Sequence, residues 1–199
     1  MTTNRYTLYQ VFKYALYIFL SMNVYWFFVE EFAANQLLYP DGVRIGDIMD
    51  AYVATVDTLA WVVLLLMFEL ETYVLEDRHF TKPVTWTLHV LRAVCYVFIV
   101  YSFWGYIGNL VSVSNVSSLP GIADLCSLVD DSWSYSHDFE EYTLLTAQNC
   151  STFSTAGSFL VFADARAVVV AAGHAAIVRL AWVVVINAGV WLLVVLVLE

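Results

Sequence analysis

Long apolar runs alternate with short polar segments along most of the chain. The apolar runs cover residues 7–29, 48–75, 85–111 and 158–198. A bilayer core about 30 Å thick requires about 20 mainly apolar residues in a helix. Transmembrane strands would be about ten residues long with alternating hydrophobicity, and these runs do not alternate. The pattern therefore predicts four transmembrane helices over these ranges.

The fourth run, 158–198, is long enough for two interpretations. As one helix it would extend over about 60 Å, roughly twice the membrane thickness, with residues 180–198 as the crossing and the rest outside the bilayer. As two short crossings it would need a turn near Gly173 or Arg179, where turn-forming chemistry is absent. No proline interrupts the run, and we therefore expect one long helix that extends beyond the bilayer.

Composition supports a membrane location. Of the 199 residues, 61% are hydrophobic and 13% charged, whereas an ordinary soluble domain is roughly 45–50% apolar and about 25% charged. Eight Lys and Arg against 18 Asp and Glu give a net charge of −10, which disfavours nucleic-acid binding. We expect an all-α fold, a single polytopic membrane domain over 1–199 with the lipid bilayer as its first partner.

Short polar segments predict the orientation. Positive residues are enriched in cytoplasmic loops. The first segment carries Arg5 and Lys13, and the loop between the second and third runs carries Arg78 and Lys82, whereas the loop after the first run has only Arg44. Both termini are therefore predicted to be cytoplasmic, in a plasma membrane or a bacterial inner membrane.

Residues 112–157 form an acidic segment without Lys or Arg. The predicted orientation makes this segment an extracytoplasmic loop, in an oxidising space where paired cysteines normally cross-link. The segment contains Cys126 and Cys150. We predict a disulfide between them.

Charged residues within the apolar runs are functional candidates, because each costs about 2.5–3.5 kcal/mol to insert. If the second and third runs form an antiparallel hairpin, Glu69 and Arg92 lie at the same depth, and His89 shares a helix face with Arg92. We predict a Glu69–Arg92 ion pair. It either pins the hairpin, or Glu69 and His89 belong to a proton or ion path, since histidine titrates near neutral pH.

A second set of polar residues lies toward the predicted exterior. Asp50 and Asp57 share one face of the second helix, and Asn23 lies at a comparable depth on the first. These three residues would form a cation vestibule that opens toward the acidic loop. Alternatively, Arg179 reaches Asp57 and the two form a clamp within the bundle.

Small residues in the fourth run predict close helix packing. Ala172 and Ala176 lie four residues apart with Gly173 beside them, and small residues at this spacing let helix backbones approach closely. Their partner would be a second copy, another membrane subunit, or the other helices of the same chain.

Two functions are compatible with these features. The sequence has no nucleophile elbow, phosphate-binding loop, dinucleotide fingerprint or zinc-ligand spacing, and we therefore expect no enzyme activity, no cofactor and no metal. The first hypothesis is an oligomeric cation or proton channel, or a transport module, with Asp50, Asp57, Asn23, Glu69 and His89 along the path. The alternative is a non-catalytic accessory or scaffold subunit of a larger membrane complex.

Overall fold

The computed structural model describes residues 2–38, 42–44, 48–74, 81–118, 124–139, 141–154, 158–163 and 165–198. The chain divides into two compact units. The first unit comprises Met1–Val29 and Tyr52–Ser102, and the second comprises Glu30–Ala51 and Phe103–Glu199. The protein is mostly helical, with a small sheet in the second unit.

The helices, labelled in chain order, include four that are long and apolar enough to cross a membrane, within Thr7–Leu38, Val53–Tyr73, Lys82–Ser114 and Ala171–Val197 among the described residues. That number agrees with the prediction from hydropathy. The helical bounds are α1 Thr2–Leu38, α2 Ile48–Ala51, α3 Val53–Glu69, α4 Lys82–Ser114, α5 Cys150–Phe153 and α6 Ala171–Leu198. A π-helical turn, Leu70–Val74, continues α3.

Several helices begin earlier or end later than hydropathy predicts. The helix α4 begins at Lys82, before the predicted start at residue 85. Pro83 lies in its first turn, where a missing N–H group costs nothing because that group has no partner within the helix. Hydropathy marks the apolar part of a helix, and polar turns at either end extend beyond it.

The first unit contains the antiparallel helices α1 and α3. Near one end Phe28 stacks on Tyr52, with ring centroids 5.6 Å apart, and near the other end Lys13 pairs with Glu69. Contacts at both ends fix the direction, because residue numbers rise along α1 as they fall along α3. Val53, Ala60, Val62 and Met67 are the buried residues of α3.

The segment 112–157, expected to be a loop, contains ordered elements. It includes β1 Val116–Ser118, a 3₁₀ helix Leu125–Asp131, β2 Ser134–Ser136, β3 Tyr142–Leu144 and α5. The carboxylate of Asp124 caps the 3₁₀ helix by accepting a hydrogen bond of 2.9 Å from the Cys126 N–H. Ser132, in the left-handed region with φ 57°, ends it.

The fourth apolar run is not one long helix, and this prediction was wrong. Residues 159–162 and 167–170 are strands β4 and β5, an antiparallel pair in which Phe159 lies opposite Val170. The helix α6 begins only at Ala171. Phe and Val favour strands, and polar residues at the turn separate the two short apolar runs. The fold is therefore not all-α.

The five strands form one sheet in the order β1-β4-β5-β2-β3. All neighbours are antiparallel except β2 and β5. One face covers a core that also includes the 3₁₀ helix, and its buried members are Leu125, Leu128, Leu145, Phe159 and Val168. We call the segment 115–170, with this sheet and core, the sheet domain.

Candidate functional site

A buried ion pair joins α1 to α3 in the first unit. The Lys13 ammonium contacts the Glu69 carboxylate, with side-chain exposures of 7% and 12%. The Tyr17 hydroxyl donates a second hydrogen bond of 3.0 Å to the other Glu69 oxygen. The carboxylate thus accepts from both donors, which offsets the cost of holding a charge away from water.

Aromatic rings surround the same ammonium group. Lys13 Nζ lies 4.5 Å from the ring centroid of Tyr73 and 5.1 Å from that of Tyr14. A cation over an aromatic face is attracted by the negative potential of that face. We call Lys13, Tyr14, Tyr17, Glu69 and Tyr73 the lysine cluster.

A second ion pair joins the π-helical turn to α4. Arg92 Nη2 lies 2.7 Å from Glu71 Oε2, with side-chain exposures of 27% and 25%. This pair is more open to its surroundings than the lysine cluster. Both pairs lie in the first unit.

The predicted Glu69–Arg92 pair is replaced by these two pairs. Residues two positions apart lie on nearly opposite sides of a helix. Glu69 and Glu71 therefore form ion pairs with different neighbouring helices. Equal depth in the hairpin of the second and third runs predicts a partner on those two helices alone, whereas Glu69 pairs with α1. Lys13, a cation within the first apolar run, is the sequence signal that points to this partner.

The other residues proposed for an ion path lie on different helices. His89 is exposed on α4, and its Nδ1 lies 2.7 Å from the Thr85 carbonyl oxygen one turn earlier. Asn23 and Asp57 are partly buried on α1 and α3. Asp50 lies in α2, in the other unit, and its side chain is outside the described residues. The vestibule of Asp50, Asp57 and Asn23 stays a prediction.

The predicted clamp between Asp57 and Arg179 joins residues of different units. Arg179 is exposed on α6. The clamp also stays a prediction.

Two glycines of α6 have different surroundings within the second unit. A Cβ atom added at Gly189 would lie 3.3 Å from Phe103 on α4, whereas one at Gly173 would meet nothing within 4 Å. Ala172 and Ala176, predicted to pack with Gly173, are exposed. The absence of a side chain at Gly189 therefore leaves room for the Phe103 ring of α4, whereas the space beside Gly173 is open.

His174 joins the start of α6 to the end of α4. Its Nε2 lies 2.8 Å from the Val113 carbonyl oxygen, and its ring lies 6.5 Å from that of Phe162 in β4. The last carbonyls of a helix have no partner within it. His174 satisfies one of them.

The predicted disulfide is present in the sheet domain. Cys126 in the 3₁₀ helix is bonded to Cys150 at the start of α5; the two residues are 24 positions apart in sequence, and their Cα atoms are 4.9 Å apart. Cys150 is 2% exposed. The bond joins the two helical segments that lie against the core of the sheet domain.

Acidic residues line a pocket in the second unit. Its volume is about 170 Å³, and its walls include Glu30 from α1, Asp138 and Glu141 from the sheet domain, Phe139 and Leu180. Within the described ranges, no group of three or more His, Cys, Asp or Glu residues is arranged to hold a metal ion.

Comparison with protein families, with curated proteins and with solved structures gives no match to this chain. Functional proposals therefore depend on the residues and geometry described above.

Proposed function

We propose that the chain is a non-catalytic subunit of a larger membrane protein complex. The open space beside Gly173 carries this proposal. On the same helix a Cβ atom at Gly189 would meet Phe103 of α4, whereas one at Gly173 would meet nothing within 4 Å. The nearby Ala172 and Ala176 are exposed. Such faces let a helix of another subunit approach closely.

The ion pairs of the first unit support the same proposal. Glu69 and Arg92, two of the residues considered for an ion path or its support, are paired with Lys13 and Glu71. Breaking such a pair leaves a charge without its partner, which destabilises the packing of the helices. Groups held in this way stabilise helix packing and are poor carriers of ions.

The experiment is to purify the tagged full chain from membranes of its own source in mild detergent and to measure the mass of the intact complex. We expect one unlike subunit at a fixed ratio. Replacing Gly173→Leu should remove that subunit, whereas Val183→Leu, an exposed position on the same helix, should retain it. A monomer or a pure self-oligomer would contradict the proposal.

A second proposal is an oligomeric channel or transport module for cations or protons. The acidic pocket of Glu30, Asp138 and Glu141 supports it, because clustered negative charge raises the local concentration of cations. In proteoliposomes, Asp138→Asn with Glu141→Gln should reduce cation flux, and so should Asp57→Asn. Asp131→Asn, an exposed carboxylate outside the pocket, is the matched control. Flux that is no greater than in empty vesicles would exclude this function.

A further inference from the structure

Exposed tyrosine and tryptophan side chains lie at two levels, near the two ends of the apolar part of α1. Tyr9 and Tyr14 are 53% and 55% exposed near one end, and Tyr25 and Trp26 are 64% and 60% exposed near the other. Sixteen residues separate Tyr9 from Tyr25, which corresponds to a rise of about 24 Å along a helix.

The helix α4 repeats this spacing. Trp86 is 72% exposed and Trp104 is 65% exposed. Eighteen residues separate them, a rise of about 27 Å. Trp and Tyr rings are enriched where the hydrocarbon of a bilayer meets its headgroups, and that hydrocarbon is about 30 Å thick.

The surface between the two levels is suited to hydrocarbon. Phe12, Ile18 and Phe19 on α1 and Val94 and Val97 on α4 are all exposed. Lys13 is turned inward and paired with Glu69. His89 lies three residues from Trp86, within about 5 Å of the aromatic level along the helix, where its free ring nitrogen can reach headgroups.

The ion pairs give a common reference point for depth along the two helices. Lys13 and Arg92 both pair with carboxylates at the end of α3 or in its π-helical continuation. From Lys13 to Tyr25, and likewise from Arg92 to Trp104, there are 12 residues, about 18 Å along each helix. In the other direction, Tyr9 lies about 6 Å from Lys13 along α1, and Trp86 lies about 9 Å from Arg92 along α4.

We infer that a lipid bilayer covers the faces of α1 and α4 between these levels, with one interface at Tyr9 and Trp86 and the other at Tyr25–Trp26 and Trp104. The lysine cluster and the Arg92–Glu71 pair then lie within one leaflet, within about two helical turns of its headgroups. Lipid is the occupant because most large exposed side chains between the levels are apolar and those at the levels are amphipathic. The exposed Ser21, Thr87 and His89 each form a hydrogen bond with a backbone carbonyl of their own helix.

The test uses single cysteines in a Cys95→Ala background, reconstituted in phosphatidylcholine vesicles. Ile18→Cys and Val97→Cys lie between the levels, and Trp26→Cys and Trp104→Cys lie at one of them. The native side chains at these four positions are similarly exposed, at 63% for Ile18, 67% for Val97, 60% for Trp26 and 65% for Trp104. A water-soluble maleimide should label the two central cysteines at least about tenfold more slowly, because the reactive thiolate is disfavoured in hydrocarbon.

A second measurement separates lipid from a protein partner. A fluorophore attached at Ile18→Cys or Val97→Cys before reconstitution should be quenched by phosphatidylcholine brominated on its acyl chains. Equal maleimide rates at all four positions would overturn the inference. Slow labelling without quenching would also overturn it, since another protein would then cover these faces. Labelling after unfolding in detergent should be equal for all four variants.

Discussion

At the scale of single residues, the informative positions are charges within apolar helices. Hydropathy identifies Glu69 and Arg92 as costly groups that need partners, and the structure gives each a partner. The identity of the partner depends on which helices are neighbours and on which side of a helix each residue lies. The sequence indicates how deep a residue lies in the membrane but not which helix lies next to it. For this reason the partners Lys13, Tyr17 and Glu71 are not predicted by depth alone.

The lysine cluster gives the first prediction. Lys13→Met or Glu69→Gln alone should lower the unfolding temperature in detergent measurably, because each leaves a charged or polar group without its partner. The double variant should lose less than the sum of the single losses. The measurement is thermal unfolding followed by circular dichroism.

Two controls accompany this cycle. Tyr17→Phe, which removes one hydrogen bond to Glu69, should cost about 1 kcal/mol, and Arg44→Gln, an exposed charge, should cost little. Additive losses in the double variant would show that Lys13 and Glu69 do not interact.

Tyr135 in β2 gives a prediction on pH. Burial raises the pKa of Tyr135 above its usual range. The unfolded chain therefore loses this proton first as pH rises, and stability from this residue is present below pH about 10 and falls above it. Wild type and Tyr135→Phe should show the same pH dependence at neutral pH, and wild type should lose stability more steeply above pH 10 in chemical denaturation. Parallel curves through that range would contradict the prediction.

At the scale of elements, hydropathy finds long helices well and short strands poorly. The four membrane-length helices could be predicted because each carries about 20 apolar residues. Strands β4 and β5 were missed because two four-residue apolar runs directly precede an apolar helix. The signal present in the sequence was Asp164 and Arg166 between these runs, since charges there disfavour a continuous apolar helix and favour a turn.

Packing between α4 and α6 gives the prediction at this scale. Gly189→Leu should lower the free energy of unfolding by about 1–3 kcal/mol, because its side chain must displace the Phe103 ring. Gly173→Leu, on the same helix, should leave the stability of the isolated chain unchanged or slightly raised, since no atom lies near its Cβ position and leucine favours a helix more than glycine. If both variants lost the same free energy of unfolding, the contact between Gly189 and Phe103 would not determine how α6 packs against α4.

At the scale of the whole molecule, the sheet domain is continuous with the helices that flank it. One residue separates α4 from β1, and β5 passes directly into α6. His174 adds a hydrogen bond between the ends of these two helices. The disulfide could be predicted from the cysteines alone, but the sheet could not, because its strands are three or four residues long and pair with partners distant in sequence. Short strands leave little periodicity to detect.

The disulfide should therefore stabilise the sheet domain and not the long helices. Reduction, or Cys126→Ser with Cys150→Ser, should lower the stability of this domain by about 3 kcal/mol through the entropy of the unfolded chain. Fluorescence of Trp133, which packs against the domain core, can follow its unfolding in variants that lack the other tryptophans, while far-ultraviolet circular dichroism follows the helices. Cys95→Ser is the control, because Cys95 is buried in α4 without a disulfide. If reduction shifted both signals equally, the sheet domain and the helices would unfold as one cooperative unit, and the bond would stabilise the entire molecule.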